Sequence, residues 1–187
     1  MQNRALTIDS RPWLTEQAIE FIENLCHKNS NLKILEFGSG GSTIWLAQRT
    51  NILVSIEHNS KWYNLVTPIL EKLVPENLAL NNLKPKQNSL VTRKLLNPPA
   101  YYQVCAEFPD NYFDLILIDA IERVNCAAQA VRILKPGGVL MLDNCERPQY
   151  LPIYENLKTW SLTKTQQIVT QNHQEIIHYT DWWIKPK

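Results

Sequence analysis

Short apolar runs alternate with amphipathic stretches along this chain, and the alternation predicts a regular succession of strands and helices. Apolar residues at helical spacing predict a first helix over residues 14–26. Apolar runs that end in polar residues predict strands at 32–37, 52–56, 113–118 and 139–142. These runs are apolar almost throughout, which is typical of strands buried on both faces.

Amphipathic segments fill the intervals between the strands. The remaining predicted helices lie at 42–48, from Asn59 or Ser60 to Pro75, at 101–107, at 124–134 and around residues 150–160. The segment 76–109 is ambiguous, because a third strand fits either 77–83 or the stretch 84–99. Residues 166–169 and 175–184 predict an antiparallel pair near the C-terminal end.

Strand and helix in repeated alternation predict an α/β fold, with a doubly wound, mostly parallel sheet, helices on both faces and an antiparallel C-terminal strand pair. At about 150 residues per domain, the 187 residues predict a single domain over 1–187. Residues 1–30 form an N-terminal helical segment that we expect to cover the ligand site. In such sheets, ligands bind beyond the carboxyl ends of the strands, where the strand order reverses.

Composition narrows the functional classes. The chain is 44% hydrophobic and 20% charged, with a net charge of +1, so neither nucleic acid nor an anionic membrane is an expected partner. No apolar run reaches the about 18 residues of a membrane span, and no apolar segment follows the first residues, so we predict a cytoplasmic protein. The 4 cysteines are widely spaced, which predicts reduced, buried thiols rather than a zinc site or disulfide framework.

Three of the 5 glycines lie in one segment, from Glu36 to Thr43, between a predicted strand and a predicted helix. Gly38 and Gly40 permit a tight turn there and a close approach of the backbone to a ligand. A dinucleotide fingerprint would need a further glycine at position 43, which is Thr43, and no Gly-Lys-Ser/Thr follows. A dinucleotide-dependent oxidoreductase and a P-loop are therefore disfavoured.

An acidic residue, Glu57, ends the second predicted strand, 19 positions after Gly38. A carboxylate at this spacing and place is suited to accept hydrogen bonds from the hydroxyls of a ribose. The glycine turn and Glu57 together therefore predict a site for a nucleoside-containing ligand.

Four motifs in sequence order resemble those of the class I S-adenosylmethionine-dependent methyltransferases. They are Leu-Glu-Phe-Gly-Ser-Gly from Leu35, Ile-Glu-His from Ile56, Phe-Asp-Leu-Ile-Leu-Ile-Asp from Phe113, and Leu-Lys-Pro-Gly-Gly from Leu134. The resemblance covers about residues 32–144 and implies a Rossmann-like sheet, binding of S-adenosylmethionine and transfer of a methyl group.

The resemblance also implies roles for individual residues. Gly38, Ser39 and Gly40 would lie under the methionine and ribose parts of the cofactor, at the start of the helix that holds Ser42 and Thr43. The other implied cofactor-binding residues are Glu36 near the ammonium group, Glu57 at the ribose, His58 near the adenine, and Asp119 at the methionine end.

Polar residues also end two later strands, which should be neighbours. Asp119 and Asp143 are candidate general bases for an acceptor that must lose a proton. Together with Asn144 they are similar to the Asp, Asp and Asn ligands of metal-dependent O-methyltransferases, which makes a divalent metal an alternative. The segment after Asp119, which contains Arg123, resembles a different branch, so we do not favour a metal.

Several aromatic residues are candidates for an acceptor pocket. Trp13 precedes the first helix, and Trp62 lies on a helical stripe that predicts a core position. Trp182 and Trp183 are adjacent in a predicted strand, so we expect one of them to face away from the core, towards a partner in a homodimer. The other candidates are Tyr101, Tyr102 and Tyr150.

The sequence thus favours an S-adenosylmethionine-dependent methyltransferase with a small-molecule acceptor. A metal-dependent O-methyltransferase that uses Asp119, Asp143 and Asn144 is one alternative. A module that binds S-adenosylmethionine or a nucleoside without turnover is the other.

Overall fold

A computed structural model describes residues 10–73, 78–80, 91–171 and 174–187. Short 3-10 turns lie at Val104–Glu107 and Pro148–Tyr150. In chain order, the helices and strands are α1 (Glu16–Lys28), β1 (Lys33–Phe37), α2 (Gly41–Ala47), β2 (Ile52–Glu57), α3 (Ser60–Leu73), β3 (Leu78–Leu80), β4 (Val91–Leu95), α4 (Ala100–Gln103), β5 (Phe113–Ile118), α5 (Arg123–Ile133), β6 (Leu134–Asp143), α6 (Leu151–Asn156), β7 (Ser161–Thr163), β8 (Gln166–Gln171) and β9 (Gln174–Ile184).

One sheet organises the described residues, with the strand order β3-β4-β2-β1-β5-β6-β9-β7 and with β8 paired to β9. Strands β1 to β6 run parallel, whereas β9 is antiparallel to β6, β7 and β8. β2, β3 and β4 lie on one side of β1, and the chain then crosses to the other side of β1, where β5 and β6 lie. The predicted fold class is confirmed, and the strand order reverses between β1 and β5.

The central strands are buried on both faces, which explains their apolar sequences. In β5, Leu115 and Leu117 pack into the core on one side of the sheet, against α1, α2 and α3 residues. Ile116 and Ile118 pack into the core on the opposite side, with residues of α5 and α6. Because alternate side chains of a strand point to opposite faces, two helical layers require an unbroken apolar run.

Strand β6 begins earlier than predicted. It starts at Leu134 rather than at Val139 and includes the Pro-Gly-Gly segment, a composition that is more typical of turns. The register against β5 shifts there, from the Phe113–Leu134 pair to the Leu115–Val139 pair. This irregularity lets the strand accommodate the Pro-Gly-Gly segment.

A strand is present in each of the two segments that the sequence offered for the third strand. β3 lies within the predicted 77–83, and β4 lies within 84–99, where it pairs directly with β2. The parts of these predictions on residues 77 and 81–90 lie outside the described residues, as do residues 1–9 of the predicted N-terminal segment. The predicted helix over 101–107 is the short helix α4 and the 3-10 turn after it.

The C-terminal strand pair is confirmed, but the prediction that one of its tryptophans faces away from the core is wrong. Trp182 is 6% exposed and Trp183 is 1% exposed. Trp182 stacks on Phe21 of α1, with ring centroids 4.7 Å apart, and Trp183 contacts Tyr154 of α6 on the other face. Helices cover both faces of β9, so these residues no longer support a homodimer.

The sequence also led to expectations about the cysteines and about membrane-spanning segments. All 4 cysteines are buried and free, as the sequence predicts. None of the helices in the described part of the chain combines the length and the apolar character that a membrane crossing requires.

Candidate active site

The carboxyl edge of the sheet bounds a cavity of about 640 Å³ at the reversal between β1 and β5. Its wall includes Trp13, Trp62, Arg147 and His178 in addition to the strand tips. Of the predicted site residues, those on the wall are Gly38, Ser39, Gly40, Ser42, Glu57, His58, Asp119, Asp143 and Asn144. The structure therefore brings most of the predicted residues together, and it adds others.

Gly38 makes the sharp turn that follows β1. Its φ of +96° lies in the region that residues with a side chain rarely adopt, and a Cβ atom there would lie 1.9 Å from the Asp119 carbonyl oxygen. The backbone amide of Gly38 donates to the Ile56 carbonyl at 2.8 Å. Gly38 thus allows the tips of β1 and β5 to approach each other.

Gly40 serves the cavity rather than the turn. A Cβ atom at Gly40 would have no heavy atom within 4 Å, and Gly40 lies on the cavity wall. Its backbone amide donates to Thr43 Oγ1 at 2.9 Å, which fixes the start of α2. The missing side chain therefore leaves open space in which a ligand can contact the backbone.

Glu57 is 3% exposed at the tip of β2, and backbone amides hold its carboxylate in place. Oε2 accepts a hydrogen bond from the Ser39 amide at 2.7 Å. Oε1 accepts from the amides of His58 and Asn59, at 2.8 and 2.7 Å. A carboxylate oxygen has two acceptor positions, so Oε2 retains one for a ligand hydroxyl.

Glu36 and Thr43 lie beneath the cavity and not on its wall, which differs from the sequence expectation. Glu36 is 0% exposed, and it accepts hydrogen bonds from Ser42 Oγ, from Thr43 Oγ1 at 2.6 Å and from Ser55 Oγ at 2.8 Å. Burial raises the pKa of Glu36 to about 7, although these hydrogen bonds lower it in part. Glu36 therefore fixes the start of α2 from below.

A buried arginine, Arg93, completes this layer, and the sequence analysis did not single it out. Arg93 pairs with Ser55 in the β4–β2 register, and Ser55 pairs with Glu36 in the β2–β1 register, so the three side chains share one face. Arg93 Nη1 donates to the Tyr63 carbonyl at 2.9 Å, and its guanidinium lies 4.3 Å from the Tyr63 ring centroid. Lys94 follows Arg93 in the same strand, so the sequence carried no signal that marks Arg93 as the residue beside Glu36.

The side of the cavity next to β2 is partly aromatic. His58 and Trp62 line it, and Trp62 is 39% exposed, so the predicted core position of Trp62 is wrong. The buried stripe of α3 consists of Tyr63, Val66 and Leu70 instead. Tyr101 is 0% exposed beneath His58, with ring centroids 5.8 Å apart, and is not on the wall.

Asp119 and Asn144 are bridged by a guanidinium. Arg123 Nη2 donates to Asp119 Oδ1 at 2.8 Å and to Asn144 Oδ1 at 2.9 Å. Arg123 Nη1 donates to the Ala120 carbonyl and contacts the Tyr150 hydroxyl at 3.2 Å. A fixed positive charge therefore lies among the oxygens that the alternative metal site would use.

Asp143 is 2% exposed on the same wall. Its Oδ1 accepts a hydrogen bond from Thr180 Oγ1 of β9 at 2.8 Å. Burial, followed by the nearby negative charge of Asp119, raises the pKa of Asp143 to about 7. A carboxyl group with such a pKa can accept or release a proton near neutral pH.

The predicted tyrosines do not form the acceptor side. Tyr150 is 7% exposed beneath Arg123, and neither Tyr101 nor Tyr102 is on the cavity wall. Arg147 and His178 are on it, although the sequence analysis assigned neither of them to the site. The pairing of β9 with β6 brings His178 to this wall, and Arg147 reaches it from the loop after β6.

The strand reversal, the glycine turn and the carboxylate at the end of β2 define a Rossmann-like fold of the type found in S-adenosylmethionine-dependent methyltransferases. The comparisons with known proteins agree with this class, and the resemblance inferred from the motifs is confirmed.

Among curated proteins, the chain is similar to the ubiquinone/menaquinone biosynthesis C-methyltransferase UbiE of Erwinia tasmaniensis. The two are 34% identical over 87 residues, which cover 42% of this chain and 35% of that protein. The match therefore spans about a third of the length of that relative. No protein-family model matches the chain.

Solved structures match over nearly the whole chain. An O-methyltransferase from Bacillus cereus in complex with SAH has a TM-score of 0.66 at 21% identity, covering 92% of this chain and 82% of that one. The tRNA (m1A58) methyltransferase TrmI from Aquifex aeolicus has a TM-score of 0.63 at 15% identity, covering 96% and 72%. At these identities, the likeness establishes the fold.

Proposed function

We propose that this protein is an S-adenosylmethionine-dependent methyltransferase with a small-molecule acceptor. One observation carries the proposal: Gly40, Glu57 and Asp143 meet on the wall of one cavity of about 640 Å³, at the strand reversal. The curated relative and the similar folds support the same activity. The buried, free cysteines agree with the cytoplasmic location that we include in the proposal.

The residues present suit this cofactor. The open space at Gly40 would receive it against the backbone, and Glu57 Oε2 would accept a hydrogen bond from a ribose hydroxyl. The imidazole of His58 and the half-exposed ring of Trp62 would contact the adenine. Glu36 and Thr43 would act from below, by holding the start of α2 in place.

The chemistry needs little from the protein besides alignment and removal of a proton. S-adenosylmethionine supplies a methyl group activated by its sulfonium, and S-adenosylhomocysteine remains after transfer. A hydroxyl or amine acceptor loses one proton when it gains the methyl group, and the Asp143 carboxylate receives that proton. Thr180 holds Asp143 in place through its hydroxyl.

The contacts of Arg123 favour a mechanism without a metal. Its guanidinium already binds Asp119 and Asn144, at 2.8 and 2.9 Å. A divalent cation between these oxygens would have to displace a positive charge that hydrogen bonds hold on several sides. We therefore expect full turnover in the presence of EDTA, and loss of turnover in EDTA would restore the metal alternative.

A small molecule is the favoured acceptor, although one of the similar folds is a tRNA methyltransferase. The net charge of +1 offers little attraction to the many phosphates of a nucleic acid. We therefore also propose that nucleic acid is not the acceptor. Weak salt dependence of acceptor binding, as expected for a ligand with at most one charge, would support this, and a steep loss of affinity with salt would contradict it.

Thermal unfolding tests the cofactor first. S-adenosylhomocysteine at about 100 times its dissociation constant should add about 2.7 kcal/mol of stability, or roughly 5–10 °C in Tm, whereas NAD should add nothing. In the matched variant Glu57→Gln, which keeps the shape but not the charge, calorimetry should show affinity lower by about 1–3 kcal/mol. A shift with NAD alone would favour an oxidoreductase.

Asp143→Asn separates an enzyme from a binding module. The amide keeps an oxygen for Thr180, so S-adenosylhomocysteine should bind as in the unchanged protein. Formation of S-adenosylhomocysteine from S-adenosylmethionine with a panel of phenols and amines should fall by about 100-fold or more. Cofactor binding without turnover on any acceptor would leave the module as the better description.

A further inference from the structure

A positive charge with one long ion pair, that of Arg147, lies at the end of the cavity near β6. Arg147 is on the cavity wall and its side chain is 48% exposed. Its Nε lies 3.6 Å from Glu146 Oε1, which is longer than a hydrogen bond. Within the part of the chain that the structure describes, the Arg147 guanidinium makes no hydrogen bond, so its donors are available to a ligand.

The other guanidinium at this end is already committed. Arg123 binds Asp119, Asn144 and the Ala120 carbonyl, so its charge is matched by the Asp119 carboxylate. Glu146, the acidic neighbour of Arg147, is not on this wall and instead lines a separate cavity beside Lys164. Arg147 is therefore the less tightly paired of the two guanidinium groups, and its donors can still bind an incoming anion.

An aromatic surface lies on the same wall. Trp13 is 64% exposed, although its neighbours Pro12 and Leu14 are buried. Burial of these neighbours fixes the backbone, so the ring is held out instead of packing into the core. An exposed indole on the wall of a cavity offers a flat apolar surface to a ligand.

The contacts of β9 bring His178 next to this surface. The Thr15 amide donates to Thr180 Oγ1 at 3.2 Å, which joins the segment before α1 to β9. Trp13 lies two residues before Thr15, and His178 lies two residues before Thr180. Both side chains line the cavity. Thr180 also donates to Asp143, so the aromatic surface lies near the proposed base.

We propose, on the basis of the proposed function, that the acceptor is a planar ring compound that carries a carboxylate as well as its hydroxyl or amine. The ring lies against Trp13, the carboxylate binds Arg147 beside His178, and the reacting oxygen or nitrogen faces Asp143. Arginine suits this task, because its planar fork can donate two parallel hydrogen bonds to one carboxylate.

Calorimetry on protein saturated with S-adenosylhomocysteine tests the charge. The probes are 4-hydroxycinnamate and its neutral amide, which have nearly the same shape. We expect the acid to bind at least about tenfold more tightly than the amide. In Arg147→Gln this preference should disappear, whereas Arg49→Gln removes the same charge outside the cavity wall and should leave it unchanged.

A second variant tests the ring. Trp13→Ala should weaken the acid and the amide by the same factor, about tenfold, because the stacking surface does not depend on the charge of the ligand. Equal binding of acid and amide to the unchanged protein, or no binding of either, overturns the proposal.

The affinity for S-adenosylhomocysteine distinguishes this proposal from the function on which it rests. It should be the same in Arg147→Gln as in the unchanged protein, and a large loss would assign Arg147 to the cofactor and overturn the acceptor proposal. If S-adenosylhomocysteine binds neither protein, the proposed function fails. The preference for acid over amide is then measured on the free protein, where its absence overturns this proposal too.

Discussion

Gly38 and Gly40 are two residues apart in one turn, yet they lack a side chain for different reasons. At Gly38 a Cβ atom would collide with the Asp119 carbonyl, and the φ of +96° is unfavourable for any other residue. At Gly40 the same atom would enter open space on the cavity wall. The first glycine is required by the fold, and we infer that the second is required by the ligand.

Substitution of the two glycines should separate stability from binding. Gly38→Ala should lower the free energy of unfolding by at least about 1–3 kcal/mol, because backbone atoms must move to relieve the contact. Gly40→Val should keep a Tm close to that of the unchanged protein and lose its affinity for S-adenosylhomocysteine. Urea unfolding and calorimetry measure the two effects, and a folded Gly40→Val protein with unchanged affinity would mean that the site is misplaced.

The pKa of Asp143 is set by the surroundings of its side chain. Its pKa is raised from 3.8 to about 7, by burial first and then by the charge of Asp119. The folded state therefore binds the proton more tightly than the unfolded chain, and the stability that this group contributes falls as pH rises between these two values. Arg123, Arg147 and His178 also line this wall and share the field that acts on Asp143.

Two pH profiles follow from the raised pKa of Asp143. Turnover should rise as the pH passes about 7, where the carboxyl group ionises and can accept a proton. Asp143→Asn should stabilise the protein by about 1–2 kcal/mol at pH 8 and by little at pH 4, because it removes the cost of a buried charge. Melting curves of both proteins across this range provide the check, and a stabilisation by the substitution that is no larger at pH 8 than at pH 4 would contradict the assignment.

At the scale of elements, three neighbouring strands contribute Glu36, Ser55 and Arg93 to one buried polar row. The parallel register aligns the row, and Ser55 links it to the cavity through a 2.8 Å contact between its hydroxyl and that of Ser39. Arg93 is 0% exposed, and burial lowers its pKa, while the acidic groups Glu36 and Glu57 raise it. We infer that the charges of Arg93 and Glu36 compensate each other.

A double-mutant cycle should detect this compensation. Glu36→Gln keeps the shape and one of the two oxygens, and its amide nitrogen can donate to the Ser42 hydroxyl, which can also accept. Arg93→Met keeps most of the volume of the arginine. Each single change should cost about 3–5 kcal/mol, since it leaves one buried charge without its counterpart. The double variant should be at least about 1 kcal/mol more stable than the sum predicts, and additive costs in urea unfolding would show that the two charges are independent.

The strands and helices differ in how well the sequence pattern predicts them. The strands β1, β2 and β5 were predictable because two-sided burial leaves an unbroken apolar run in each. β7, of which every residue is exposed, carries no such run, and its three residues form a strand only because β9 lies beside them. On α3, the apolar stripe was correct in period, but which of its residues faces the cavity depends on how the helix packs.

For the molecule as a whole, β9 extends the sheet beyond β6, on the side where we propose that the acceptor binds. It pairs with β6 and β7, buries Trp182 and Trp183 on opposite faces, and brings Thr180 to Asp143. One terminal strand thus completes both cores and the cavity wall.

Removal of β8 and β9 should therefore unfold the protein rather than merely alter its specificity. A chain that ends at Thr163 would expose the edge of β6 and the surfaces that the two tryptophans cover. We expect no cooperative thermal transition by circular dichroism, whereas Thr180→Val should remain folded and lose about 1–3 kcal/mol. A truncated chain that melts cooperatively would show that β9 is an accessory element.

The sequence by itself determined the succession of strands and helices, the glycine turn and the acidic residue at the end of β2. These features depend on local geometry, namely the periodicity of burial and the conformational freedom of Gly38, and a linear pattern records both. Only the tertiary structure placed Arg93 beside Glu36, bridged Asp119 to Asn144 with Arg123, and brought Arg147, His178 and Trp13 to one wall. Such contacts join residues from distant parts of the chain, and their charges and exposed fractions have meaning only after the strands have paired.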